Sequence, residues 1–215
     1  TLALVQPWSA ASIAGTDNDA DVAGSAVSGA DKESFGFEAK ASYALPMGKV
    51  WVGYARQDVD NLVDAEASPT ALGDGEMDAY EIGANVAFGN LGLVAYYYNG
   101  EGLGTTAKLY DGFDFEGNER DSDGFFAQAT YVIPTGTKLG VSYGRSDLDA
   151  TTVDVANASL NMVSRNEMWT VGAYHPLTKH LNLVAEYNDS TTEAMNSFTP
   201  DNESNSVSLG AILFF

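Results

Sequence analysis

The clearest indication of the fold is the stretch Ser204-Asn-Ser-Val-Ser-Leu-Gly-Ala-Ile-Leu-Phe-Phe215. Apolar residues recur in it at every second position: Val207, Leu209, Ala211, Leu213 and Phe215. Smaller or polar residues occupy the positions between them. Because successive side chains of a β-strand point to opposite faces, this alternation predicts a strand with one apolar face.

The same alternation recurs along the chain and predicts an all-β protein. We expect ten strands, near 1–8, 34–45, 49–58, 77–88, 91–100, 124–133, 137–147, 165–175, 180–190 and 204–215. Strands of about 9–11 residues can cross a bilayer at a tilt. Short and long connections alternate; the short ones are 46–48, 89–90, 134–136 and 176–179, and the long ones are 9–33, 59–76, 101–123, 148–164 and 191–203. The pattern predicts an antiparallel transmembrane β-barrel.

Composition limits the possible classes of protein. No run approaches the roughly 20 apolar residues that a membrane-spanning helix needs. The mean hydropathy of -0.13 is compatible with a barrel, because only every second strand residue faces lipid. A net charge of -20 repels nucleic acid and excludes it as a partner. The absence of cysteine excludes a disulfide scaffold.

Acidic residues are concentrated in the long connections. These connections hold most of the 30 Asp and Glu, but only Lys32, Lys108 and Arg120 among the 10 Lys and Arg. Small and polar residues separate the acids, so we expect the connections to be solvated and partly mobile. Outer-membrane barrels place their long connections outside, which predicts an acidic outer surface.

Several motifs resemble those of the general diffusion porins of Gram-negative bacteria. Tyr-x-Arg occurs at 54–56 and 143–145, Glu-Tyr occurs at 186–187, and the turn Tyr174-His-Pro-Leu-Thr-Lys-His-Leu-Asn-Leu183 precedes the final Leu-Phe-Phe. The resemblance runs from about Phe35 to Phe215. It implies a homotrimeric porin of the bacterial outer membrane, a passive diffusion channel for small hydrophilic solutes and ions. Such a protein is not an enzyme and needs no cofactor.

The resemblance also implies partners. Outer-membrane lipid and lipopolysaccharide would surround the barrel, and the barrel assembly machinery would bind the closing strand. The assembly signal implied by the resemblance consists of Val207, Leu209, Leu213 and Phe215.

The porins that this chain resembles have 16 strands, whereas ten are predicted here. We therefore expect residues 1–215 to form a single β-barrel domain that is the C-terminal part of a longer porin, incomplete on its N-terminal side. The inward-folding constriction loop of the family lies in the N-terminal part, so we do not expect it in this chain. One alternative is a closed ten-stranded outer-membrane barrel with a structural or adhesion role. A soluble β-sandwich would also produce the alternation.

Polar residues on the opposite side of the predicted strands are candidates for lining a pore. By alternation they are Glu38, Lys40, Glu81, Asn85, Gln128, Thr130, Lys138, Ser142, Asn182, Glu186 and Asn188. Three carboxylates against two lysines predict a weakly negative wall and a modest cation preference. Alternatively, these groups pair with one another across the wall.

Other motifs resemble parts of catalytic or metal-binding sites, but they lack the position or the neighbouring residues that such sites need. Gly140-Val-Ser-Tyr-Gly144 matches the nucleophile-elbow pattern but lies inside an alternating strand. His175 and His180 flank a short turn, on the wrong side for an external active site. Asp17-Asn-Asp-Ala-Asp21 begins like a calcium loop, but the later Gly and Glu of such a loop are missing. We predict no catalytic residue and no metal site, with weak divalent binding in the acidic loop as an alternative.

Overall fold

The computed structural model describes residues 1–5, 10–13, 26–31, 35–64, 70–105, 109–114, 116–156, 162–196 and 198–214. The strands are β1 (Leu2–Val5), β2 (Ala10–Ile13), β3 (Ala26–Asp31), β4 (Gly36–Leu45), β5 (Gly48–Asp64), β6 (Thr70–Phe88), β7 (Leu91–Glu101), β8 (Asp121–Val132), β9 (Lys138–Leu148), β10 (Val163–Pro176), β11 (Leu181–Ala194) and β12 (Asn202–Leu213). A short helix, α1, spans Thr152–Ala156. No helix in the described residues is long and apolar enough to cross a membrane.

The strands form one antiparallel sheet in the order β1-β4-β5-β6-β7-β8-β9-β10-β11-β12. From β4 onward each strand pairs with the next one along the chain. All ten predicted strands are confirmed, although residues 6–8 of the first one lie outside the described residues. The short turns at 46–47, 89–90, 133–137 and 177–180 lie at one end of the sheet, the turn end. The connections 102–120, 149–162 and 195–201 start from the opposite end, the loop end.

Two of the predicted long connections are wrong in part. β2 and β3 lie within the predicted connection 9–33 and pair with each other, and β3 also pairs with the far part of β5. The predicted connection 59–76 is mostly strand, because β5 continues to Asp64 and β6 begins at Thr70. The local sequence does not indicate these longer strands, because acidic residues lie near Val59, Leu62 and Met77. These three side chains become buried only against Leu109 and Phe113, which are distant in the sequence.

The sheet is open in the described residues. β1 pairs only with β4, and β12 pairs only with β11, so both are edge strands. The closed ten-stranded barrel considered as an alternative is therefore not what these residues form. A single open sheet is consistent with part of a barrel.

The pairing register assigns the strand residues to two faces, because residues directly opposite in neighbouring strands share a face. One face exposes large apolar side chains, including Ile82 at 55%, Val171 at 54% and Leu209 at 81%. We call it the apolar face and the opposite side the inner face. A soluble sandwich would cover the apolar face with a second sheet, and the described residues form one sheet only.

Aromatic rings contact one another on the apolar face towards the loop end. The ring centroids of Tyr54 and Tyr80 are 5.0 Å apart, and those of Tyr143 and Trp169 are 5.2 Å apart. Charged side chains follow beyond these rings and form ion pairs with one another; this charged belt comprises Arg56, Glu76, Asp78, Arg145, Asp147, Arg165 and Glu193. An apolar band, then aromatic rings, then charges is the order expected across a membrane interface.

A buried core lies at the loop end of the inner face. It consists of Val59, Leu62 and Met77 from β5 and β6, and of Leu109 and Phe113 from the connection 102–120. This connection, which we call the folded connection, was predicted to be solvated. That prediction is wrong for its core residues, because the two apolar side chains anchor it against the sheet and are at most 1% exposed.

Candidate pore wall

All eleven residues predicted to line a pore lie on the inner face. One cross-strand row contains Gln128, Ser142 and Asn188, joined through Thr170 of β10. In another row Gly53 lies between Lys40 and Glu81. The same register places the remaining members on this face: Glu38, Asn85, Thr130, Lys138, Asn182 and Glu186. Their contact with a pore stays a prediction, but they share one surface, opposite the apolar face.

Two cavities on the inner face bring most of these residues together. The larger, of about 690 Å³, is lined by Glu38, Lys40 and Glu81 with the rings of Tyr96 and Tyr98. The second, of about 440 Å³, is lined by six of the predicted residues: Asn85, Gln128, Thr130, Lys138, Ser142 and Asn182. Glu186 and Asn188 line neither cavity.

Several polar groups of the wall pair with side chains of nearby strands, as the alternative interpretation expected. The Lys40 ammonium lies 2.6 Å from Glu81 Oε1, and the Tyr96 hydroxyl donates to Glu81 Oε2 at 3.0 Å. The Tyr174 hydroxyl donates to Glu186 at 2.6 Å. These bonds hold the side chains in place without removing them from solvent, since the Lys40 side chain is 51% exposed.

Lys49 was missed as a wall residue. It lies opposite Asn85 on the inner face, and its ammonium is 5.4 Å from the centre of the Trp51 ring. Its spacing of two residues from Trp51 and four from Gly53 could have revealed the position. With Lys49 included, the described strands carry three lysines and three glutamates on this face, so the predicted negative balance of the wall is wrong.

A glycine makes room for the Trp51 ring on the inner face. A Cβ atom at Gly83 would lie 2.1 Å from Trp51 Cζ2, so only glycine fits beneath the ring. Lys40 approaches the same ring, with its ammonium 5.5 Å from the centre. Trp51 therefore lies between two lysines, in a geometry suited to cation–π contact.

A buried ion pair joins the folded connection to helix α1. Arg120 Nε donates to Asp154 Oδ2 and Arg120 Nη2 donates to Asp154 Oδ1, both at 2.7 Å, and neither side chain is exposed. Arg120 Nη1 also donates to the carbonyl oxygens of Asp111 and Phe113. The ion pair thus ties together two connections that are far apart in the sequence.

A second buried carboxylate organises the same contact. Asp114 accepts hydrogen bonds from the backbone N–H groups of Glu116 and Asn118 and from the Thr151 hydroxyl. Burial alone would raise the pKa of Asp154, but the hydrogen bonds and charge of Arg120, with the Thr151 N–H, outweigh burial and hold that pKa below its usual value. Both carboxylates therefore act as structural anchors.

Comparison with known families agrees with the strand pattern. The model of the Gram-negative porin family matches residues 8–194. The chain belongs to the Gram-negative porins. None of the curated proteins compared with this porin matches it. Family membership makes it a β-barrel channel protein of the outer membrane, and the family is one of channels rather than enzymes.

This porin carries an inward-folded connection where none was expected. The described residues Leu103, Gly104 and Thr105 of the folded connection line the 690 Å³ cavity together with wall residues. Gly104 adopts a positive φ of 77°, and a Cβ there would lie 1.8 Å from the Tyr110 carbonyl oxygen. Leu109 and Phe113 are the two apolar residues of the sequence that could have indicated a buried connection. The acidic residues around them instead favoured the prediction of a solvated one.

The other motifs occupy structural positions in the porin. Ser142 lies in the middle of β9 between Gln128 and Thr170, and not at a strand-to-helix turn. His175 bonds through Nδ1 to the Thr137 hydroxyl at 2.9 Å, near the turn end. Val207, Leu209 and Leu213 of the implied assembly signal lie exposed on the apolar face, whereas Phe215 and the acidic motif 17–21 lie outside the described residues.

Proposed function

We propose that the inner face of this porin lines a water-filled path for the passive diffusion of small hydrophilic solutes and ions. The observation that carries the proposal is the separation of the two faces, with eleven polar candidates on one and an exposed apolar band on the other. Polar groups on a channel wall can replace hydration contacts without binding a solute tightly. Width and charge then decide which solutes can enter the path.

The proposal includes a modest cation preference, and its support comes from the loop end. The wall has as many lysines as glutamates, but carboxylates that include Glu101, Glu116, Glu119, Asp121 and Asp149 are exposed at the loop end. Together with a net charge of -20, they attract cations to the entrance. A charged entrance raises the local concentration of counter-ions and biases the current towards them.

Both edges of the sheet need strand partners in a bilayer. An unpaired backbone polar group in hydrocarbon costs several kcal/mol, so open sheet edges do not occur there. We therefore include in the proposal further strands beside β1 and β12 that close the barrel, as expected of a larger porin.

The partners implied by the sequence are part of the same proposal. The exposed apolar band suits lipid, and contact with lipopolysaccharide is proposed on the family resemblance. The exposed β12 suits the barrel assembly machinery. The proposed homotrimer rests on the family resemblance alone.

Ion conductance tests the proposed function. The protein is reconstituted into planar lipid bilayers, and current is measured in symmetric KCl and then across a tenfold KCl gradient. We expect stepwise conductance and a reversal potential of the sign that indicates cation preference. Folded protein without conductance would contradict the channel and favour a structural or adhesion role. A reversal potential of the opposite sign would contradict the cation preference only.

A further inference from the structure

We propose that the larger inner-face cavity is a binding site for an uncharged, hydroxylated ring, that is, for the pyranose ring of a sugar. The inference rests on the proposed function, since the site lies on the path assigned to diffusing solutes. It adds a solute class to that path and names the residues that would recognise it.

The size and lining of the cavity suit a small molecule. Its volume of about 690 Å³ falls in the range of roughly 300–1,000 Å³ that is typical of ligand sites. Ala55, Ala79 and Leu103 supply apolar surface, and Gly104 and Thr105 of the folded connection line the cavity beside them. A largely apolar concavity with a few fixed polar groups is the usual form of a small-molecule site.

Two tyrosine rings form the aromatic part of the site. Tyr96 and Tyr98 lie on the same face of β7, with ring centroids 6.3 Å apart. Their hydroxyls are held by Glu81 and by Ser146, at 3.0 Å and 2.6 Å, so the rings have fixed positions. Rigid aromatic rings offer a large contact area at low cost in conformational entropy. The C–H face of a pyranose ring is apolar and can lie against such rings.

Donors and acceptors lie side by side next to these rings. The ammonium of Lys40 and the carboxylate of Glu81 are in contact at 2.6 Å, with side chains 51% and 27% exposed. Neighbouring hydroxyls of a sugar each donate and accept a hydrogen bond, so a paired ammonium and carboxylate match a vicinal diol. Glu38 lines the same cavity.

The charges favour a neutral solute over an organic cation. Lys40 already lies between the Glu81 carboxylate and the Trp51 ring, 5.5 Å from its centre. Lys40 therefore offsets the Glu81 charge and occupies the Trp51 ring, two of the groups that would otherwise attract a cation. An uncharged polyhydroxylated ring can use the pair without displacing the lysine.

Glucose block of the ion current tests the site. The protein in a planar bilayer is titrated with glucose, and with sorbitol as a matched solute that has the same carbon chain but no ring. We expect glucose to reduce the KCl current saturably, and sorbitol to lower it only in proportion to viscosity. Equal effects of both solutes, or no saturable block, would overturn the sugar site while leaving the channel intact. Absence of any ion current would instead overturn the proposed function.

Matched variants locate the site. We expect Tyr96→Leu and Tyr98→Leu to raise the half-blocking glucose concentration by roughly fivefold or more, the loss of about 1 kcal/mol of binding. Tyr97→Leu, between them but on the apolar face, should leave it unchanged. Glu81→Gln, which preserves the shape of the side chain, supplies a second test if a leucine variant does not insert. Unchanged block in all inner-face variants would contradict the assignment.

Discussion

Arg120 and Asp154 form a two-bond ion pair, with both N–O distances 2.7 Å and both side chains completely buried. The pair joins the connection after β7 to the connection after β9. A charge buried without its partner is costly, so the two residues depend on each other. The folded connection is therefore held by a contact between residues 34 positions apart.

Removing Arg120 from its ion pair with Asp154 should loosen the packing of the folded connection. We expect Arg120→Met to destabilise its packing by about 3–5 kcal/mol, because Asp154 is left buried and unpaired. Limited proteolysis should then cleave within 102–120 while the strands stay protected, and the bilayer conductance should rise. Arg145→Met is the control, since its ion pair with Asp147 is partly exposed and worth about 1 kcal/mol or less. Equal protease resistance of wild type and Arg120→Met would contradict this role.

Low pH should break the ion pair between Arg120 and Asp154. The pKa of Asp154 lies below its usual value of 3.8 because Arg120 and Thr151 stabilise the charged form more than burial opposes it. The stabilisation is therefore complete above about pH 5 and is lost as the pH falls below 3.8 through the folded-state pKa. Protease sensitivity of the folded connection should appear only at acid pH, measured with an acid-active protease. A transition near neutral pH would contradict the assignment to Asp154.

Adjacent residues of β10 test the assignment of the two faces. Val171 lies on the apolar face and Thr170 on the inner face. We expect Val171→Arg to destabilise the membrane-inserted state by about 2–4 kcal/mol if it lies near the bilayer midplane. Thr170→Arg should cost less and should alter the ion selectivity instead. Urea titration of the protein in liposomes measures both, and equal destabilisation would show that the faces are wrongly assigned.

Lys49 should contribute to the ion selectivity of the channel. Lys49→Gln leaves three glutamates against two lysines on the described wall, so we expect the reversal potential in a KCl gradient to move further towards cation preference. Lys179→Gln, which removes the same charge at the turn end, should change it less. If the two variants shift the reversal potential equally, position on the wall does not matter and the inner-face assignment of Lys49 is contradicted.

Alternation was sufficient to predict the strands because it is a local property. Each strand from β4 to β12 exposes apolar residues on one side, and a period of two is visible within a few residues of sequence. The same parity correctly placed Gln128, Ser142 and Asn188 on a common face. It could not assign the strand at 91–100, where Tyr96, Tyr97 and Tyr98 are consecutive; pairing with β6 and β8 shows that only Tyr97 lies on the apolar face.

The local pattern of residues therefore specified the all-β class, the ten strands, the short turns and the polar side of the sheet. Tertiary structure alone specified the inward course of the connection 102–120, the extension of β5 and β6, and the pairing of Arg120 with Asp154. These features depend on contacts between segments distant in the sequence, such as Phe113 against Leu62. Burial of a charged or isolated apolar residue is favourable only when its partner is present, and no local pattern records that partner.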